Sequence, residues 1–260
     1  MRYCKIIATY FGIRRDYPFK VEQTMELLET VIENEKALDP GIDELDTIII
    51  NHDFGNDKSR KFIDSLNGIK THSGKVIAIN RDWEDGIGMS FKSFNYAYEK
   101  FKDNYDYWFF TEDDYLMVLD KYYIKFINQL DNDPRVAYVG GYREPSTIYD
   151  ENGYIEKTGG YDPHCHGGNG LTHINYLEKA YIFNKHLPYS DKPMPLIMTQ
   201  NILNSTLLKS TSIDTADWYR RNELEGEVRF TNVYIKLGYK LQELITEDNV
   251  IFSAQRQIYY

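Results

Sequence analysis

Apolar runs alternate with helical spacings through the first 118 residues. KIIATYF (residues 5–11), DTIIINHD (46–53), KVIAIN (75–80) and DYWFFTE (106–112) are short and rich in Ile and aromatics, and they predict buried strands. Between them the apolar spacing changes. Val21, Met25, Leu28 and Ile32 share one face of a helix expected from Pro18 to about Leu38, closed by Pro40-Gly41. A short helix is expected over residues 58–66, closed by Asn67-Gly68, and another over 89–101 with Phe94, Ala97 and Phe101 inward. This strand–helix order predicts an α/β fold whose mostly parallel sheet has helices on both faces.

The second half is less regular. VAYVGGY (136–142) predicts a strand, residues 143–170 read as long loops, and 171–183, 196–209 and 227–237 read as partly helical. No repeat or low-complexity linker divides the chain, so residues 1–260 are expected to form one domain, with 1–118 binding a nucleotide and 119–260 lying on the acceptor side.

In a parallel sheet, ligands bind beyond the carboxyl ends of the strands. Those ends read Thr9-Tyr10, Asn51-His52-Asp53 through Asp57, Asn80-Arg81-Asp82, and Thr111-Glu112-Asp113-Asp114. The last is the most unusual, because a buried aromatic strand runs straight into three carboxylates. If strand geometry persisted, Glu112 and Asp114 would share one face and Asp113 the other. A bare Glu-Asp-Asp fits two readings: a solvated turn that caps the next helix, or a carboxylate pair that holds a hard divalent cation together with phosphate oxygens.

Charge and composition narrow the partners. The 260-residue chain has 30 Lys and Arg against 40 Asp and Glu, a formal net charge of −10. It has no basic run, which argues against binding a nucleic-acid polymer. Its two cysteines, Cys4 and Cys165, make no disulfide framework, and no stretch approaches the ~20 apolar residues of a membrane span. The expectation is a cytoplasmic protein without a transmembrane segment. The 23 tyrosines fit sugar or base stacking, and equally a compositional bias shared with Lys, Asn and Ile.

The motifs in FTEDD, TIIINHDFGND and INRDWEDGIGMSFKSFNYA together resemble the GT-A glycosyltransferases, especially the family 2-like enzymes. FTEDD is similar to their Asp-x-Asp phrase, with Glu112 in place of the first acid and Asp114 as the second. The resemblance implies that Asp114 and Glu112 hold Mn²⁺ or Mg²⁺ on the diphosphate of a nucleotide sugar, with Asp113 alongside. TIIINHDFGND is similar to the nucleoside-binding phrase IIVVDDGSTD. His52 departs from it, while Asp53 and Asp57 fall on acids, and Asp53 would bind the base or ribose. Tyr10 would stack on the base, and Thr9, Arg81 and Gly88 would complete the nucleotide side.

Two later stretches extend the resemblance. CHGGNGLTHINYLEKA (165–180) is similar to a Gly-Gly-x-Gly phrase under the sugar site, which implies sugar or acceptor contacts at Gly167, Gly168 and His166. It reads equally as an ordinary glycine turn. LEGEVRFTNVYIKLGYKL is similar to GEDxxxxxRLxxxGYRI and places Glu227 on the general-base position of inverting enzymes. Gly226 replaces the usual Glu, the internal Arg is lost, and Glu225 is the nearest substitute. A solvated first helical turn also accounts for these acids.

The implied function is a metal-dependent glycosyltransferase of hexosyltransferase type, moving a sugar from a nucleotide-diphosphate donor to a carbohydrate or other hydroxyl acceptor in glycan or surface polysaccharide synthesis. Two alternatives remain. A sugar-nucleotide nucleotidyltransferase would use Phe11-Gly12-Ile13-Arg14-Arg15 as a thin phosphate loop, and an inactive sugar-binding module would tolerate the departures at Glu112 and Gly226. His164-Cys165-His166 lacks the second ligand pair of a zinc site, so His166 reads better as a contact to acceptor or phosphate.

Overall fold

The computed structural model of the chain describes residues 1–11, 21–52, 57–82, 87–191, 224–244, 246 and 251–254. The element order is β1 (Tyr3–Thr9), α1 (Val21–Ala37), β2 (Leu45–His52), α2 (Asp57–Leu66), β3 (Val76–Arg81), α3 (Met89–Phe101), β4 (Tyr107–Glu112) and β5 (Tyr115–Met117). There follow α4 (Tyr122–Asn132), β6 (Val136–Gly140), β7 (Ile148–Tyr149), β8 (Ile155–Lys157), β9 (Gly170–His173) and α5 (Ile174–Asn184). A π-helical turn (Leu224–Val228) leads into α6 (Arg229–Lys236), then β10 (Lys240–Glu243) and β11 (Phe252–Ala254).

Seven strands make the central sheet in the order β10-β6-β9-β4-β1-β2-β3. All pairings in it are parallel except those of β9, which runs antiparallel to both β4 and β6. The expected α/β architecture, a mostly parallel sheet flanked by helices, is therefore present. Side chains alternate across each strand and set the layers. Cys4, Ile6 and Ala8 of β1 pack with Phe94 and Ala97 of α3 and with Phe230 and Val233 of α6. Ile7, one residue out of step, faces the other way, onto Leu28 and Ile32 of α1 and Ile63 of α2. Beyond it on that side, Phe109 of β4 and Val139 of β6 pack against Tyr123 and Phe126 of α4. Trp108, Phe109 and Phe110 are wholly buried, so truncating any one to Ala should cost about 3–5 kcal/mol.

The structure corrects one expected helix. Residues 170–173 are a strand, and α5 begins only at Ile174. Leu171 pairs with Phe109 on one side and Val139 on the other, which inserts β9 between β4 and β6. Leu171, Ile174 and Leu177 mimic a helical stripe, but the His173 imidazole ends the strand by accepting from the Asn175 N–H as the helix cap. The expected helix over 196–209, and Pro18, lie outside the described residues.

One charged pair lies inside the layers. The Lys5 ammonium, on the α1 side of β1, pairs with Glu35 of α1, and the Thr47 hydroxyl donates to the second carboxylate oxygen at 3.2 Å. Both charged side chains are almost wholly buried.

Candidate active site

Register brings four strand ends to one rim. Ala8 lies beside Glu112, Thr9 beside Asn51, and His52 beside Arg81. The nucleoside side of this rim is built from β1, β2 and β3. The Tyr10 ring sits 6.0 Å from that of His52. His52 is buried, and burial together with the neighbouring Arg81 charge pushes its pKa down to about 2. Asn51 donates to Asn80 Oδ1 at 2.8 Å, and Asn80 in turn donates to Asp64 at 2.9 Å. Among the described residues Asn51 Oδ1 has no hydrogen-bond partner, although it is buried. Such an acceptor is commonly satisfied by a ligand or a water. Asp57 stands exposed in the first turn of α2, Gly88 caps α3 with φ +70°, and Asp53 lies outside the described residues.

The acidic cluster separates its three members. Strand geometry stops at Glu112, and Asp113-Asp114 form a turn into β5. Asp113 turns back onto β1: its carboxylate accepts from the Thr9 hydroxyl at 2.6 Å, and its N–H donates to the Ala8 carbonyl at 3.2 Å. Thr9 and Asp113, both expected on the nucleotide, hold each other and fix the end of β4 against β1. Asp114 is also buried, whereas Glu112 is partly exposed.

Glu112 and Asp114 converge on His166. Burial alone would lower the pKa of this imidazole. The Glu227 charge and hydrogen bond, with Glu112 and Asp114 behind them, outweigh burial and raise it to about 9. His166 Nε2 lies 3.0 Å from Glu227 Oε1, and Nδ1 lies 3.2 Å from the Asn169 amide nitrogen. The Thr111 hydroxyl donates to Asn169 Oδ1 at 3.1 Å, which ties the loop back to β4. The structure thus brings together Glu112, Asp114, His166 and Glu227, residues up to 115 apart in the chain. Glu225 instead faces a cleft bordered by Arg229 and Lys236, on a different side of the π-helical turn.

The loop that carries His166 is pinned by α6. Cys165 N–H donates to Thr231 Oγ1 at 2.9 Å, Thr231 Oγ1 donates to the Cys165 carbonyl at 3.0 Å, and Asn232 donates to the Pro163 carbonyl at 2.7 Å. Close approach then requires glycine at two positions. A Cβ on Gly167 would come within 2.8 Å of the Phe91 ring, and a Cβ on Gly226 would overlap the same ring from the π-helical turn. Phe91 therefore fills the space between the His166 loop and the turn that carries Glu227. Gly168 lies alongside Glu112, and a Cβ there would press on its side chain at 3.3 Å.

Asn169 and Thr111 were not singled out from the sequence. A polar residue inside GGNG was the one available signal. Cys165 is a free, buried thiol that donates to the Gln242 carbonyl, and burial pushes its pKa up, the setting of a structural rather than a reactive cysteine. Among the described residues no set of three or more His, Cys, Asp or Glu side chains is arranged to hold a metal ion alone. The oxygen pair Glu112 and Asp114 fits a hard cation only if that cation brings further ligands, as a diphosphate would.

No protein-family model matches the chain, and no curated protein matches it. Solved structures of similar layout include 4-diphosphocytidyl-2C-methyl-D-erythritol synthase from Anaerococcus prevotii, at 11% identity and a TM-score of 0.46, covering 99% of this chain and 93% of that one. The galactosyltransferase LgtC in complex with donor and acceptor sugar analogues matches at 12% identity and 0.43, covering 92% and 72%. Residues 1–349 of S. aureus TarS match at 10% identity and 0.46, covering 88% and 67%. No described helix is long and apolar enough to cross a membrane.

Proposed function

We propose that the chain is a glycosyltransferase that moves a sugar from a nucleotide-diphosphate donor to a hydroxyl acceptor. One observation carries the reading: the Glu112 and Asp114 charges lie within electrostatic reach of the His166–Glu227 pair at the carboxyl-end rim of a parallel sheet. Glycosyl transfer needs two things there, relief of charge on a departing diphosphate and removal of a proton from an acceptor hydroxyl. The rim has a candidate for each.

On this reading Tyr10, His52 and Arg81 receive the nucleoside end, Glu112 and Asp114 hold Mn²⁺ or Mg²⁺, and the GGNG loop borders the sugar. A divalent cation bound there would act as a Lewis acid on the diphosphate oxygens. Glu227, held by His166, takes the acceptor proton if transfer inverts configuration. The carboxylates around His166 favour its imidazolium form, which presents a positive group to the phosphates. Thr9 and Asp113 keep the acidic turn in place without touching substrate.

Incubation of the purified protein with Mn²⁺ and a panel of nucleotide sugars tests the reading. Release of nucleoside diphosphate is the expected product. Pyrophosphate released from a nucleoside triphosphate and a sugar 1-phosphate would instead identify a nucleotidyltransferase. Tight nucleotide-sugar binding with no turnover on any acceptor would identify an inactive module.

A further inference from the structure

Three aromatic rings gather on the far side of the acidic turn. Tyr142, two residues beyond the end of β6, has its ring 5.2 Å from that of His166. Tyr115, the residue after Asp114, lies 6.0 Å from His166 and 6.4 Å from Tyr142. Most large aromatic side chains here serve the core, yet Tyr142 is 37% exposed beside a polar site. Its surroundings are the His166–Glu227 pair on one side and solvent on the other.

Position in the sheet decides what such a wall could receive. The nucleoside rim is at β1, β2 and β3. From β6 to β2 the sheet crosses four strand intervals, about 19 Å at ordinary strand spacing. Tyr142 is too far from Tyr10 and His52 to share a base with them, but it stands directly beside the candidate proton acceptor. A ligand there needs an apolar face for the rings and hydroxyls for His166 and Glu227. A pyranose has both, with axial C–H groups on one face and hydroxyls around its edge. A lipid alcohol has a single hydroxyl on a chain with no flat ring face, and a peptide serine has a hydroxyl without the apolar face.

We propose that Tyr142 and Tyr115 form, with His166, a stacking subsite for an acceptor sugar ring, so that the acceptor is a carbohydrate. This rests on the glycosyltransferase reading for the word acceptor, and on the ring geometry alone for the sugar site. The test is binding of methyl glycosides of glucose, galactose, N-acetylglucosamine and xylose, read by saturation-transfer NMR with full-length protein. At least one glycoside should bind the wild-type protein. Tyr142→Ala should weaken its Kd roughly tenfold, the size expected for a lost aromatic contact near a polar site. Tyr142→Phe should keep most of the affinity, and Tyr161→Ala, at another exposed tyrosine, should change nothing. Failure of every glycoside to bind, or binding indifferent to Tyr142→Ala, overturns the subsite. Glycoside binding that depends on Tyr142 in a protein that turns over no nucleotide sugar would leave the subsite standing and sink the transferase reading instead.

Discussion

Charge is buried in two places along the same pair of strands, and the two places are built in opposite ways. Midway along β1, Lys5 meets Glu35 one to one inside the layers, with Thr47 and the Tyr122 ring around them. At the end of β4, the carboxylates of Glu112, Asp114 and Glu227 all act on the imidazole of His166 and raise its pKa. The first arrangement is closed and locally neutral, so it asks nothing of a ligand. The second gathers its acids at an edge that solvent can reach, with Glu112 and Glu227 partly exposed. Removing charge from water costs several kcal/mol per ion, which the inner pair offsets within itself and the rim acids offset in part by keeping contact with solvent. Buried charge alone therefore does not mark a site in this molecule; acids gathered at a strand end do.

That contrast can be broken experimentally. Asp114→Ala should lower nucleotide-sugar turnover by about 10³-fold without loss of the folded circular dichroism signal, since it removes a ligand of the cation that would relieve charge on the departing diphosphate. Turnover that survives would end the metal assignment. Glu35→Ala should do the reverse. It strands Lys5 in the core and should cost about 3–5 kcal/mol in urea unfolding, while turnover per folded molecule stays near wild type. A Glu35 variant that lost activity but not stability would erase the distinction between the two clusters. Glu227→Gln should reduce the rate of transfer about 10²-fold with a smaller change in donor KM, as loss of a base does.

The smallest effect concerns His52. Its folded pKa, near 2, lies below the ordinary value of 6.5, so the unfolded chain binds a proton that the folded one refuses. Its contribution is fully present above pH 6.5 and is lost as pH falls from there toward 2, by at most about 1.4 kcal/mol per pH unit. His52→Gln should flatten the acid limb of stability between pH 6 and 4. An unchanged slope would show that the folded protein takes up a proton on His52 as readily as the unfolded chain does.

The strands of the first half were legible because a parallel sheet buries both faces of its strands, leaving unbroken apolar runs such as Ile48-Ile49-Ile50. Helix α3 was legible from Phe94 and Ala97. Strand β9 was not, because four residues joined without a turn to α5 continue its spacing. Strand β10 was missed because KLQE, at the sheet edge, carries one apolar residue. At the site, sequence order named Asp114, Glu112, His166 and Glu227 one at a time. The contact of His166 with Glu227 crosses 61 positions and depends on Thr231 and Asn232 holding the loop, which no local pattern records. Likewise strand alternation set Asp113 apart from Glu112 and Asp114, but it could not show the Thr9 hydroxyl that donates to it.

Phe91 couples the two halves of the candidate site by packing rather than by hydrogen bonds. Gly167 and Gly226 both exist as gaps for its ring, one beside His166 and one beside Glu227. These three positions should therefore drift together across descendants of the chain. A lineage that acquires alanine at 226 should carry a smaller side chain at 91, and one that keeps phenylalanine at 91 should find both glycines closed to change. The acid–imidazole pair would then be inherited as one piece, with the ring as its unseen term.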